Sequence, residues 1–226
     1  MDKVLLVIPP LAGHAAHEIH ELARRPPGVA GLRGWVANTA EADQGPLGGG
    51  TPCVEAVVCA WVDDAERAGA TRWLEELEPH IYLVDEQLQW DHDRDWPTGT
   101  PAPGFNRIAF TTKLGSLERV NFAQQWDAVH APLVRAHSPG VWRYVQNVVV
   151  EPLTANARPW DGVAELHFRT VDDFLERMYD SDSGRQLLRA DTASFLDVAR
   201  GERVLTNEWI MLDPPDRTPR FPPRAI

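Results

Sequence analysis

Apolar residues in this chain gather into short segments with two different spacings, and the order of those segments repeats. Lys3 to Ile8 is an almost unbroken apolar run stopped by Pro9-Pro10, which reads as a strand. From about His14 to Arg25 the apolar positions open to helical spacing, until Pro26-Pro27 ends the segment. Gly31 to Asn38 and Cys53 to Val62 read as two further strands, separated by the glycine-rich loop Gly45 to Pro52. Asp63-Asp64 then stands where a helix N-cap belongs, with Glu66 in the first turn, and a helix is predicted through Trp73 and Leu77 to Pro79. A fourth strand, Ile81 to Trp90, completes a β-α-β-β-α-β order.

Beyond Gly99 to Gly104 the same order returns. It comprises a strand at Arg107 to Thr112, a helix at Asn121 to Ala136, strands at Val141 to Val150 and Gly162 to Thr170, a helix capped by Asp172 and Asp173, and a strand at Val204 to Leu212. The residues echo as well: Val62-Asp63-Asp64 reappears 109 positions later as Val171-Asp172-Asp173, Trp35 to Asn38 parallels Tyr144 to Asn147, and Tyr82 to Trp90 parallels Val204 to Leu212. A period this long means duplicated domains rather than a solenoid. The expected fold is therefore α+β, with two ferredoxin-like (βαββαβ) modules in tandem at residues 1–98 and 105–213. A linker at 99–104 joins them, and a proline-rich tail follows at 214–226. Both helices of such a module cover one sheet face, so the two bare faces are expected to pack together as an intramolecular pseudo-dimer, with ligand space between sheets and helices.

Charge and composition narrow the partners. With 33 acidic against 22 basic residues the chain carries a formal charge of -11, which argues against nucleic acid, whose binding relies on clustered Lys and Arg. No apolar run approaches the roughly 20 residues of a membrane span, and no leader precedes the first strand, so a cytoplasmic protein without a membrane partner is expected. Cys53 and Cys59 have no Cys or His at zinc-finger spacing. His14, His17 and His20 follow one another by helical steps that spread them across about 120° of surface, so all three cannot converge on one ion unaided. His14 with His17, or His17 with Glu21, could supply two ligands only if others such as His80 or Asp85 completed the set, and a solvated helix face is the favoured reading. Phosphate loops and nucleophile elbows are absent. Neither a metal nor an organic cofactor is expected. Nine Trp point to aromatic packing surfaces or an aromatic-lined pocket.

Candidate chemistry lies in the second half. Along Val163 to Phe168, Ala164, Leu166 and Phe168 share the face that helices should cover, while Val163, Glu165 and His167 share the other. Glu165 and His167 are then either an acid/base pair, Glu165 raising the imidazole's pKa, or polar links across an interface. His130 borders the helical stripe Phe122, Trp126, Val129 and Leu133, where an imidazole can shuttle a proton or make one structural hydrogen bond. Tyr144 and Gln146 share a face with Trp142 and would either orient a carbonyl or phenol or serve as core. Glu208 aligns with Glu86; the two are an architectural pair, or carboxylates close enough to raise one another's pKa. Asp91-His92-Asp93 reads as a polar loop.

Trp126-Asp-Ala-Val-His130-Ala-Pro132-Leu133-Val134 followed by Tyr144-Val145-Gln146-Asn147 resembles the EthD family of dimeric α+β barrels. Trp160 to Phe168, Asp191-xxx-Phe195 and Glu208 extend the likeness over residues 105 to 212. The first half shares it only through the repeat, having no Trp-xxx-His on its first helix and no Asp-Gly before its third strand. The resemblance implies an intramolecular dimeric α+β barrel with one site, in a cofactor-independent acid/base enzyme of lyase, isomerase or cyclase type. Its substrate would be a small aromatic or polyketide-like carbonyl compound undergoing cyclisation, dehydration, decarboxylation or isomerisation. His130, His167 and Glu165 would move protons, and Trp126, Tyr144, Gln146 and Glu208 would contact substrate. The rivals are a cofactor-free or haem-using monooxygenase and a non-catalytic small-molecule binding protein. Homodimerisation of the whole chain stays open.

Overall fold

The computed structural model describes residues 1–47, 49–65 and 69–224. The eight strands are β1 (Asp2–Ile8), β2 (Leu32–Ala40), β3 (Ala56–Val62), β4 (His80–Trp90), β5 (Phe105–Thr111), β6 (Val141–Pro152), β7 (Gly162–Phe168) and β8 (Glu202–Leu212). They close into one antiparallel barrel in the order β1-β3-β2-β8-β5-β7-β6-β4, with β4 returning to β1. The α+β class is as expected, but the halves do not stack face to face. They join edge to edge, β2 to β8 and β4 to β6. Closure explains the difference, because stacked sheets would leave rows of unpaired edge N–H and C=O groups that a barrel pairs. Each half keeps the same internal order, β4-β1-β3-β2 and β8-β5-β7-β6.

Every strand has one face turned into the barrel and one turned out. Leu5, Val7, Val57, Cys59, Val84, Ile108, Phe110 and Val163 pack inside. Val4, Leu6, Ile8, Val58 and Ala60 pack outward beneath the first-half helix, α1 (Ala16–Ala23), through Ile19 and Ala23. Ala109, Ala164, Leu166 and Phe168 pack outward beneath the second-half helices. Burial on both faces is why β1 and β3 read as continuous apolar runs rather than alternating ones. Among the described residues no helix is long and apolar enough to cross a membrane.

The helix expected after Asp63-Asp64 is not found in the described part of that segment. Glu66 lies outside the described residues, and residues 69–79 form two short 3-10 turns, Ala70–Arg72 and Glu75–Leu77. Leu74 (φ 54°) and Glu78 (φ 47°) are left-handed, which interrupts any α-helical ladder. Trp73 and Leu77 are nonetheless buried, so the apolar spacing serves a packed loop. The second-half cap also needs correction. Thr170, not Asp172 or Asp173, is the N-cap of α4 (Val171–Leu175), its Oγ1 accepting from the Asp173 N–H at 3.1 Å.

Helix α2 (Arg119–Gln125) passes through a wider π turn, Trp126–His130, into α3 (Ala131–His137). Pro132 supplies a local cause, since it has no N–H for the carbonyl of Ala128, and the Ala131 N–H reaches back to Trp126 O instead. The last helix is α5 (Asp182–Phe195), capped by Ser181. The Trp126 ring lies against Gly162, where an added Cβ would come within 2.3 Å of Cζ3. Gly162→Ala is therefore expected to destabilise by about 1–3 kcal/mol through overpacking. Urea denaturation followed by Trp fluorescence measures this, and an unchanged midpoint would mean that Trp126 is not seated on β7.

Residues 99–102 are pinned along β8 rather than free, with the Gly99 and Ala102 N–H groups donating to Ile210 O and Glu208 O, both at 2.8 Å. The tail is pinned too. The Arg220 and Phe221 N–H groups donate to Leu88 O and Gln89 O on β4 at 3.0 and 2.8 Å, and Arg217 reaches Glu86 at 2.8 Å.

Candidate functional site

A cavity of about 800 Å³ opens between the second-half helices and the outer face of β5, β7 and β8. Trp126, His130, Tyr144, Leu166, Phe174 and Leu188 line it, with Arg107 and Arg203 on its wall. His130 Nδ1 lies 2.7 Å from Asp191 Oδ2 on α5, and Asp191 Oδ1 accepts from Gln125 Nε2 at 2.9 Å. A carboxylate held in this way fixes the imidazole's orientation and leaves Nε2 as the nitrogen free for chemistry.

Tyr144 is set up with equal specificity. Its hydroxyl oxygen accepts from Trp126 Nε1 and from Gln146 Nε2, both at 3.0 Å. The second Gln146 N–H goes to Trp126 O at 2.9 Å, while Gln146 Oε1 accepts from Gln89 at 3.0 Å, so the amide cannot be turned without losing these bonds. Both phenol lone pairs are thereby engaged, and only its O–H is left to donate. Burial pushes the Tyr144 hydroxyl up to about 12, keeping it a neutral donor. Arg107 is enclosed by protein yet keeps surface open to the cavity. Burial, then the neighbouring Arg203, pulls its guanidinium down to about 10, still protonated at neutral pH. No carboxylate lies within ion-pair distance of Arg107 among the described residues.

Inside the barrel lies a separate polar network. Lys3 Nζ contacts Glu86 at 2.7 Å and Glu165 at 3.1 Å; Arg143 contacts Glu165 at 3.3 Å and is bonded to Glu208; Asn147 donates to Glu165 at 2.8 Å. Burial alone would raise the Glu165 carboxyl, but Lys3 and Arg143, helped by Asn147, outweigh it and bring the pKa to about 2. Glu86 and Glu208 are likewise held below the ordinary value against the cost of burial, Glu86 by Lys3 and Arg217 and Glu208 chiefly by Arg143. They do not raise one another, because each has its own cation.

The expected site residues thus fall into two groups. Trp126, His130 and Tyr144 line the outer cavity, with Gln146 behind Tyr144 as its positioning partner. Glu165, His167 and Glu208 face the barrel interior, on the other side of β7 and β8. Strand alternation places Glu165 and His167 as expected, but they are not an acid/base pair. His167 Nε2 donates to Pro103 O at 2.9 Å, and burial pushes the imidazole down to about 4 rather than up. Tyr144 does not share a face with Trp142, because a bulge between Val141 and Arg143 turns Trp142 inward against His92 and His167. His14 and His17 stay on the surface, and His20 lies near Glu55. Asp191, Arg107 and Arg203 were not singled out for chemistry by sequence. Asp191 is 61 residues from His130, and no local spacing signals that contact. His92, read as a loop residue, is packed between Trp96 and Trp142 with ring centroids 4.9 and 4.4 Å away.

A closed antiparallel barrel with a helix-covered cavity is the arrangement of dimeric α+β barrel proteins. Residues 115–199 match the family model described as the EthD domain. No curated protein sequence matches the chain. Among solved structures, one described as an anthrone oxidase-like protein superposes with a TM-score of 0.64 over 93% of this chain and 93% of its own, at 7% identity. A chlorite dismutase-like protein superposes with a TM-score of 0.47 over 92% and 94%, at 9% identity. The first of these likenesses speaks to the fold alone.

Proposed function

We propose that this chain is an enzyme that removes a proton from a small aromatic or polyketide-like carbonyl compound bound in the second-half cavity. His130, oriented by Asp191, takes the proton. The electron pair released moves onto the substrate oxygen, where the Tyr144 hydroxyl and the Arg107 guanidinium stabilise the resulting enolate or phenolate. The observation that carries this reading is the fixed polarity of Tyr144: with two donors already pointed at its oxygen, its O–H is the group left for a ligand. Arg107, without a carboxylate partner, favours an acidic substrate for the same reason. We read the barrel as two ferredoxin-like modules, residues 1–98 and 105–213, the first without a second helix among its described residues; the helix-covered cavity belongs to the second.

Cyclisation, dehydration, decarboxylation and isomerisation all share this first step, and oxygenation of an aromatic anion begins with it too. The same cavity gives a second reading, in which it would take haem: His130, backed by Asp191, would hold the iron and Arg107 and Arg203 would meet the propionates. A Soret band in the purified protein decides for that reading and against the cofactor-free one.

The test is proton exchange in D₂O with a panel of β-dicarbonyl and hydroxyaryl ketone compounds, followed by NMR. Protein-dependent exchange at the carbon next to the carbonyl is expected, with Tyr144→Phe slowing it by about 10²–10³, the usual loss for one oxyanion donor. Tight binding without exchange would instead make the protein a carrier, and consumption of dissolved oxygen in step with substrate would make it an oxygenase.

A further inference from the structure

We propose that His92, His167 and Glu208 form a binding site for a divalent first-row transition-metal ion at the mouth of the barrel. The site is separate from the cavity that holds His130. Each of the three residues offers one ligand atom, and these atoms lie within 4.8 Å of one another. They are also among the buried side-chain atoms that the fold leaves unsatisfied. Both ring nitrogens of His92, Nδ1 of His167 and Oε1 of Glu208 are buried without a hydrogen-bond partner among the described residues. A buried polar atom left in that state is costly, and convergence of several on one point needs a reason.

The surroundings orient these residues as a metal site would. His167 Nε2 donates to Pro103 O at 2.9 Å, which leaves the lone pair on Nδ1, the nitrogen 3.8 Å from Glu208 Oε1. A backbone carbonyl fixing the far nitrogen is the usual way a ligating imidazole is held. The other Glu208 oxygen is bonded to Arg143, so Oε1 is the one presented. Ligand bonds of about 2.0–2.2 Å require the three atoms to draw together, and His92, the one with no hydrogen bond from its ring, has none to break in doing so.

Comparison of the halves shows what is missing. By strand register Lys3 corresponds to Asn106, Trp61 to His167 and Glu86 to Glu208, since Lys3 pairs with Trp61 where Asn106 pairs with His167, and Glu86 with Asn147 where Asn38 pairs with Glu208. In the first half the Glu86 carboxylate is met by the Lys3 ammonium at 2.7 Å and the Arg217 guanidinium at 2.8 Å. In the second half the Lys3 position is a neutral amide and the Trp61 position is an imidazole. Lys3, Arg143 and Arg217 are shared among Glu86, Glu165, Glu208 and Asp91, so the group as a whole carries one net negative charge. A cavity of about 270 Å³, lined by His92 and Glu208 together with Asp91, Arg94, Arg143 and Arg217, adjoins two of the three ligands and leaves room there for water or a small anion. Two imidazoles with one carboxylate favour zinc, iron(II) or cobalt(II) over calcium or magnesium.

The chelator-stripped protein is loaded with Co²⁺, desalted and assayed for bound metal and for visible d–d absorption, then again with Zn²⁺. About one equivalent is expected for the wild type, with binding weakened at least roughly tenfold in His92→Ala while that variant, free of metal, still unfolds in one cooperative transition. His14→Ala/His17→Ala, on the surface, is expected to bind as the wild type does. Little or no metal on the wild type would overturn the proposal, as would full binding by His92→Ala or loss of binding in the surface double variant. Proton exchange at His130 is read independently, so either result stands without the other.

Discussion

Glu165→Gln is expected to be among the most damaging substitutions in the chain, costing about 3–5 kcal/mol at neutral pH, the range for breaking a buried charge pair from one side. The change keeps shape and volume, so no cavity confuses the result. What it removes is the one carboxylate that touches both Lys3 and Arg143, each of which is buried. Both cations would keep a second partner, Glu86 and Glu208 respectively, but each would be under-neutralised in a medium that penalises charge. The folded-state carboxyl sits at about 2, against an ordinary 4.5. Its stabilisation is therefore complete above 4.5 and is lost as the pH falls toward 2. Urea midpoints across that range should fall steeply for the wild type and less so for Glu165→Gln. Adding Lys3→Met to the variant should recover part of the loss. A neutral-pH midpoint equal to that of the wild type would mean the network contributes little.

His130→Ala should cost the second large effect, about 10²–10⁴ in kcat for the proton-exchange reaction, the contribution typical of a positioned general base. KM should move little, because the cavity walls that give binding area, Leu166, Phe174 and Leu188 among them, are untouched. Asp191→Asn should lower the rate with the imidazole still present, since the amide can hold the ring in the wrong tautomer. Melting temperature separates catalysis from folding: His130→Ala should melt near the wild type, its side chain lying at the cavity rim rather than in the core. Undiminished exchange in this variant would remove His130 from the mechanism.

The parts of the fold legible in sequence were those set by local geometry. Period-two alternation placed Ala164, Leu166 and Phe168 under helices and Glu165 and His167 inside, because successive strand side chains must point to opposite faces. One inserted residue defeated the same rule on β6, where the bulge at Val141–Arg143 sent Trp142 and Tyr144 to different sides. The helix after Asp63-Asp64 failed because Leu74 and Glu78 adopt left-handed backbone that their residue types rarely signal. Site partners were hidden for a different reason. Asp191 reaches His130 across two helices, and His92 reaches His167 and Glu208 only once β4 has closed against β6, so neither leaves a spacing to read.

Cys59 and Glu165 occupy corresponding places in the two halves, each pairing in register with a valine, Val36 or Val145, two residues before Asn38 or Asn147. The Cys59 sulfur lies 3.6 Å from Glu165 Oε1. In an assembly of two identical chains, a glutamate at this place would confront its own twin at about that separation, and two carboxylates so close cannot both stay ionised. A thiol whose pKa is pushed up by burial and by Glu165 can sit there uncharged. Carrying both halves on one polypeptide therefore permits a single carboxylate at this place, where a symmetric pair of chains would have to protonate one of two or give both up.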